Sequence, residues 1–370
     1  MDKTPTIDLY NFDHGFSAPK NYRFGPYEFL ITEEDVAALS QLTRNARTNF
    51  KHDESHHPVV ERADSMPGRI VKTATARMVD RLPHVPNQLK AGVDDEGFGD
   101  LALLLSFLTG RRVLVSGAMT KTESSHYGDS VVGGNYFHCN GLSWPRIDLI
   151  AEQGLGPALW AVVNGKQVRD GIGLMLYASS AFDAISTRWA KTGISKRPCE
   201  EKEGIKAATE AIKAVLEESF ENNDLVTSCK NKVASIFEVS AVVKTTEFLA
   251  SIGLVDLESH DSKDRVALIN RVRNMVVHNA DIPRKLHDDE RRRAEIAGAI
   301  MIITMEIACL SLADVACVND YQVEISRRDL RCFFDTGVFR KQRVFEESYE
   351  QFSARMEEEW TFSNSSAAVD

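Results

Sequence analysis

Apolar positions change their rhythm near Gly165. Upstream, short alternating or continuous apolar runs are broken by frequent Gly and Pro, a pattern of strands and short helices. Tyr27 to Ile31 reads as a strand, Glu33 to Leu42 as a short helix behind Thr32 as N-cap, and Arg69 to Val79 as a second strand. Asp100 to Leu108 is an apolar helical run stopped by Gly110, and Arg111 to Val115 follows as a strand. Downstream, apolar residues recur at helical spacing over five windows: Ile172 to Trp189, Ile205 to Phe220, Lys230 to Ile252, Arg265 to Val277 and Asp289 to Ala313. Pro occurs there only at Pro198 and Pro283, each in a connection. The expected organisation is a mixed α/β domain over 1–165, a helical bundle over 166–318, and a short strand (Tyr321 to Ile325) with an acidic helical tail (Glu346 to Trp360) over 319–370.

Composition narrows the class without changing that picture. With 43% hydrophobic and 26% charged residues the 370-residue chain is ordinary globular material. Its longest uncharged stretch, Ser130 to Pro145, is too short and too polar for a membrane helix, and no apolar run follows the start Met1-Asp2-Lys3-Thr4-Pro5. A cytoplasmic protein without membrane association is expected. The six cysteines form no Cys-x-x-Cys pair, which favours free thiols over a zinc ribbon or a disulfide framework. A net charge of −10 argues against broad coating of nucleic acid. The charge is uneven, however. Lys263 to Arg293 carries nine basic against five acidic residues, whereas Val344 to Asp370 carries seven acids against Arg355 alone. A local basic stretch suits a small anionic site.

Within that stretch lies Arg271-Val272-Arg273-Asn274-Met275-Val276-Val277-His278-Asn279. On a helix Asn270, Asn274, His278 and Arg271 share one polar arc, and Val266, Ile269, Val272, Met275 and Val276 lie opposite. Histidine exchanges a proton near neutral pH, while arginine keeps its charge and grips phosphate as a fork. Together they suffice for metal-independent RNA cleavage: a base takes the 2′-OH proton, a cation stabilises the crowded phosphorus, and an acid protonates the leaving 5′-oxygen.

Arg273-Asn274, three residues and His278 resemble the R-x4-6-H signature, often R-N-x-x-x-H, of the HEPN superfamily of ribonucleases and nucleotide-binding proteins. The arrangement is similar to two-domain HEPN proteins of bacterial phage-defence and abortive-infection systems. The resemblance implies an α+β N-terminal domain followed by an all-α C-terminal HEPN-like helical bundle, paired as a homodimer or higher homo-oligomer. It implies an endoribonuclease acting on RNA without metal or small-molecule cofactor, with Arg273, Asn274 and His278 catalytic. Arg271, Asn279, Arg284 and Lys285 would contact substrate. Two departures are visible. His278 is followed by Asn279-Ala280, where some members carry a Tyr two residues after the His, and Arg271 also satisfies the spacing, closer in angle to His278 than Arg273 is.

Other constellations are weaker. His56, His57 and Glu61, or His126, His138 and Cys139, lack metal-ligand spacing, so no metal is expected. No phosphate-binding or dinucleotide glycine motif occurs. The main alternative to a ribonuclease is a HEPN-like nucleotide-binding or dimerisation module without catalysis, since the same Arg and His residues could simply hold a phosphate.

Overall fold

The computed structural model describes residues 5–45, 48–52, 58–62, 70–80, 97–116, 143–168, 171–190, 202–221, 223–233, 240–279, 282, 284–318 and 321–345. Its N-terminal part is a small antiparallel sheet. Strands β1 (Thr6–Tyr10), β2 (Lys20–Phe24) and β3 (Tyr27–Ile31) are followed by helix α1 (Glu33–Asn45) and a two-stranded ribbon, β4 (Thr48–His52) with β5 (Pro58–Arg62). Then β6 (Lys72–Met78), helix α2 (Phe98–Thr109) and the two-residue β7 (Leu114–Val115) complete the order β2-β3-β6-β1-β7. Tyr27, Phe29 and Ile31 alternate into the core, as a half-buried strand requires. Helix α1 begins where the sequence indicates: the Asp35 amide donates to Thr32 Oγ1 at 3.2 Å, and the Thr32 amide donates back to Asp35 Oδ2 at 3.0 Å. The strand expected over Arg111 to Val115 shrinks to Leu114–Val115, because only these two pair with β1 in a ladder.

Helix α2 is buried over nearly its whole surface and ends at Gly110 with φ +68°, a left-handed stop that glycine makes without strain. It packs on β7 and on a following pair of helices, α3 (Ile147–Glu152) and α4 (Gly156–Gly165), through α4. These two helices lie in the region where frequent Gly and Pro hide a helical period. At Gly165 a Cβ would fall 2.5 Å from Met305 Cε, so glycine there permits the close approach of α4 to its neighbours. Trp144, just before α3, lies on Gly25 in the β2–β3 turn and packs on the rings of Phe24 and Tyr27, tying the sheet to the helices.

The remainder is helical: α5 (Gly171–Ala190), α6 (Lys202–Ser219), α7 (Asn223–Val233), α8 (Ala241–Ser251), α9 (His260–Asn279), α10 (Glu290–Val315) and α11 (Tyr321–Thr336), then a small hairpin, β8 (Val338–Phe339) with β9 (Gln342–Arg343). Two expectations need correction. The window Lys230 to Ile252 is two helices, not one: Ser240 takes an extended conformation and its hydroxyl accepts the Val243 amide at 3.2 Å, which starts α8 afresh. Tyr321 to Ile325 is the first turn of α11 rather than a strand. The alternation of Tyr321, Val323 and Ile325 lasts only five residues, whereas buried Val323, Leu330, Phe333 and Phe334 follow helical spacing. The acidic tail from Glu346 lies outside the described residues.

Helix α10 is the axis of this part and packs against α3, α4, α5, α9 and α11. Asp289 caps it, accepting the Arg292 amide at 2.7 Å. It is long and apolar enough to cross a membrane, but 78% of its most apolar stretch is buried inside the fold, as in a core helix. Its buried hydroxyls bond within the helix: Thr304 donates to the Ile300 carbonyl and Ser311 to the Ile307 carbonyl, each at 2.7 Å. One hydrophobic cluster runs from the sheet through α2 and α4 into α5, α9, α10 and α11.

A buried polar knot sits beyond β1. His14 is wholly buried, its ring near those of Phe12 and Phe16, and Nδ1 accepts the Phe16 amide at 3.1 Å. The proton of the neutral ring therefore resides on Nε2, which among the described residues is buried without a partner in hydrogen-bonding geometry. Burial holds the imidazole down to about 4, with Asp35 and the Thr73 backbone pulling the other way. Nearby Asp13 is pushed up by burial and pulled down by Arg111 and the Gly15 amide. Unfolding lets His14 take a proton at its ordinary pKa near 6.5, so its contribution to stability is complete above that value. It is lost as the pH falls toward about 4, by up to about 3 kcal/mol. Asp13, raised in the fold, works in the opposite sense. Urea unfolding at neutral and at mildly acidic pH should show this loss in the native protein and a smaller one in His14→Gln. Equal acid sensitivity of the two would remove His14 from the account.

Candidate functional site

Helix α9 forms because Val266, Leu268, Ile269, Val272 and Val276 bury one side of it against its neighbours. It packs on α5, α8, α10 and α11. Arg265 donates to the Phe334 carbonyl at 2.6 Å and Ser262 to the same oxygen at 3.1 Å, which fixes its first turns on α11. Its C-terminal half carries the motif.

Arg271, Asn274 and His278 are exposed and follow one side of α9 up to its last turn. Asn270, placed by spacing on the same arc, is instead buried, and its Nδ2 donates to the Val266 carbonyl at 3.0 Å. Arg273 departs further. It is buried at 7% exposure and turned toward α5, where its Nη1 stands 3.0 Å from Asp183 Oδ1 and its guanidinium lies 5.1 Å from the Phe182 ring centroid. Stacking on an aromatic face is a setting that suits the flat, weakly hydrated guanidinium. Despite the short distance, Nη1 is closed off from solvent and, among the described residues, outside hydrogen-bond geometry with any acceptor. Asp183 itself stays 61% exposed. The two motif arginines are thus separated: Arg271 shares the face of His278, and Arg273 lies in the α5–α9 seam.

Past α9, a turn of 3-10 helix at Arg284–Leu286 leads into α10. Arg284 is exposed, and its carbonyl, with that of His287, accepts from Arg293 Nη1 at 3.3 and 3.0 Å. Arg292 donates to the carbonyls of Arg343 and Val344 at 3.0 and 3.2 Å, and Arg291 and Arg292 both pair with Glu295. Part of the basic stretch therefore braces the connection and the C-terminal hairpin. The side chains of Asn279 and Lys285 lie outside the described residues, as do those of His56, His57, Glu61, His126, His138 and Cys139. Among the described residues no three His, Cys, Asp or Glu side chains converge as metal ligands, and Cys229, Cys309, Cys317 and Cys332 are free thiols.

Sequence reasoning missed Asp183 and Phe182. A signal was present: Asp183 is the single charge between Gly171 and Thr187, in a helix otherwise apolar or hydroxylic there. No protein-family model matches the chain, and no curated protein or solved structure is similar to it.

The burial difference separates the arginines experimentally. Arg273→Ala removes a buried, stacked side chain and should lower stability by about 1–3 kcal/mol. Arg271→Ala, on the open face, should stay within about 0.5 kcal/mol of the native chain. Urea denaturation of both variants checks this, and equal losses would contradict the placement.

Proposed function

We propose that the chain is a metal-independent endoribonuclease of the HEPN type, a regulated toxin or phage-defence effector. The observation that carries this reading is the exposed line of Arg271, Asn274 and His278 ending at the last turn of a bundle helix. In this role His278 takes the proton from a ribose 2′-OH. The 2′-oxygen then bonds to phosphorus, the bond from phosphorus to the 5′-oxygen breaks, and a 2′,3′-cyclic phosphate results. Arg271, seven residues before His278, is the cation beside the reacting phosphate, and Asn274 between them supplies an amide to hold it. A second copy of the chain would offer its own His278 as the acid for the leaving oxygen, which is the use of a homodimer.

The burial of Arg273 favours a second reading, in which the motif arginine is structural and the bundle is a non-catalytic nucleotide-binding or dimerisation module.

Purified protein incubated with RNA in excess EDTA separates them. The expected result is cleavage to 2′,3′-cyclic ends that survives chelation. His278→Ala should abolish it at unchanged helical content, and Arg271→Ala should slow it by on the order of 10²–10³. Cleavage that stops in EDTA and returns with Mg²⁺ would replace the proposal with a metal nuclease, and cleavage undiminished in His278→Ala would remove this mechanism.

A further inference from the structure

We infer that the α5–α9 seam at Arg273 is a second phosphate subsite, which holds a backbone phosphate of an RNA strand beside the reacting one and is occupied by Asp183 when no RNA is bound. The identity of the strand rests on the ribonuclease reading; the subsite itself rests on geometry. Arg273 has an 8% exposed side chain, yet among the described residues its Nη1 donates to no acceptor, although a carboxylate oxygen stands 3.0 Å away. A buried donor left unmade is costly, and native folds leave few of them. The group beside it is an anion whose own side chain is 61% exposed, so the outer end of the seam opens to solvent. A carboxylate misaligned on a guanidinium is a poor partner that a phosphate oxygen, approaching from solvent, can replace with better geometry. Asp183 is already solvated on its outer side and can leave for water without stranding its own charge, and the incoming phosphate keeps the buried guanidinium paired. Phe182 stays under the guanidinium throughout and keeps its plane oriented.

The placement suits a strand. From Arg273 to His278 is five residues, a rise of about 7–8 Å along α9, on the scale of one nucleotide step of an extended strand. Around the helix Asn274 lies between them, about 100° from Arg273 and about 40° from His278. A single strand crossing α9 obliquely would put one phosphate at Arg271 and His278 and the next at Arg273, with Asn274 under the link.

The test uses binding without cleavage. A labelled oligonucleotide with every 2′-OH replaced by 2′-O-methyl cannot be cut, and its affinity is read by fluorescence anisotropy on the full chain. Asp183→Asn keeps the shape and removes the competing charge, and should tighten binding by up to about fivefold. Arg273→Gln should weaken binding and lower the salt slope by about one. In the Arg273→Gln background Asp183→Asn should have no effect, which separates a subsite from a general gain of positive charge. Tightening by Asp183→Asn that persists without Arg273 would overturn the subsite, as would no change at all. Tightening that appears in a chain unable to cut RNA would uphold the subsite and remove the ribonuclease reading. Inorganic phosphate serves as the second probe: phosphate binding that depends on Asp183, with no such dependence for the oligonucleotide, would assign the seam to the free ion and overturn the strand.

Discussion

Enclosing α10 is the constraint on which the rest of the architecture depends. Its buried residues occur around most of its circumference, from Ile296 through Ala313, so no single partner can remove it from water. Five other helices surround it, and α4 and α5 are pressed close enough that glycine is needed at Gly165. The site helix, α9, is one of these five walls. Its motif face is the side left over after Val266, Ile269, Val272 and Val276 have been committed to the interior. The position of His278 at the rim thus follows from packing before any chemistry is considered.

The same packing divides the arginines. A side chain two residues from Arg271 on a helix must face a different way, and at Arg273 that way is α5. The bundle accommodates a buried cation there through an aromatic plane and a half-solvated carboxylate, not through a full set of hydrogen bonds. Such a site is well suited to exchange, because its fixed component is apolar and its charged partner is loosely held.

Much of the helical organisation was legible in the sequence. Five long apolar windows marked α5, α6, α9, α10 and the α7–α8 region, and Thr32 and Gly110 marked a helix start and a helix stop where they occur. What was not legible has local causes. Ser240 divides one apolar window into two helices through a side-chain cap that periodicity does not weigh. Tyr321 to Ile325 fits both periods over five residues, and only Leu330, Phe333 and Phe334 resolve it. At the site, the grouping of Arg271, Asn274 and His278 could be read from 100° steps. The partner of Arg273 could not, since Asp183 lies ninety residues away and the pairing exists only once α5 and α9 are side by side.

The intrahelical bonds of Thr304 and Ser311 have a mechanical consequence. Because each hydroxyl returns its proton to its own helix, neither ties α10 to a neighbour by a directional bond. The directional ties of this part of α10 come instead from Glu306, paired with Arg340 of the hairpin, and Asp314, paired with Arg327 of α11. A small slide or roll of α10 would then meet the resistance of interlocking side chains and of these two ion pairs but not of its own buried hydroxyls, the kind of sliding by which packed helices shift relative to one another.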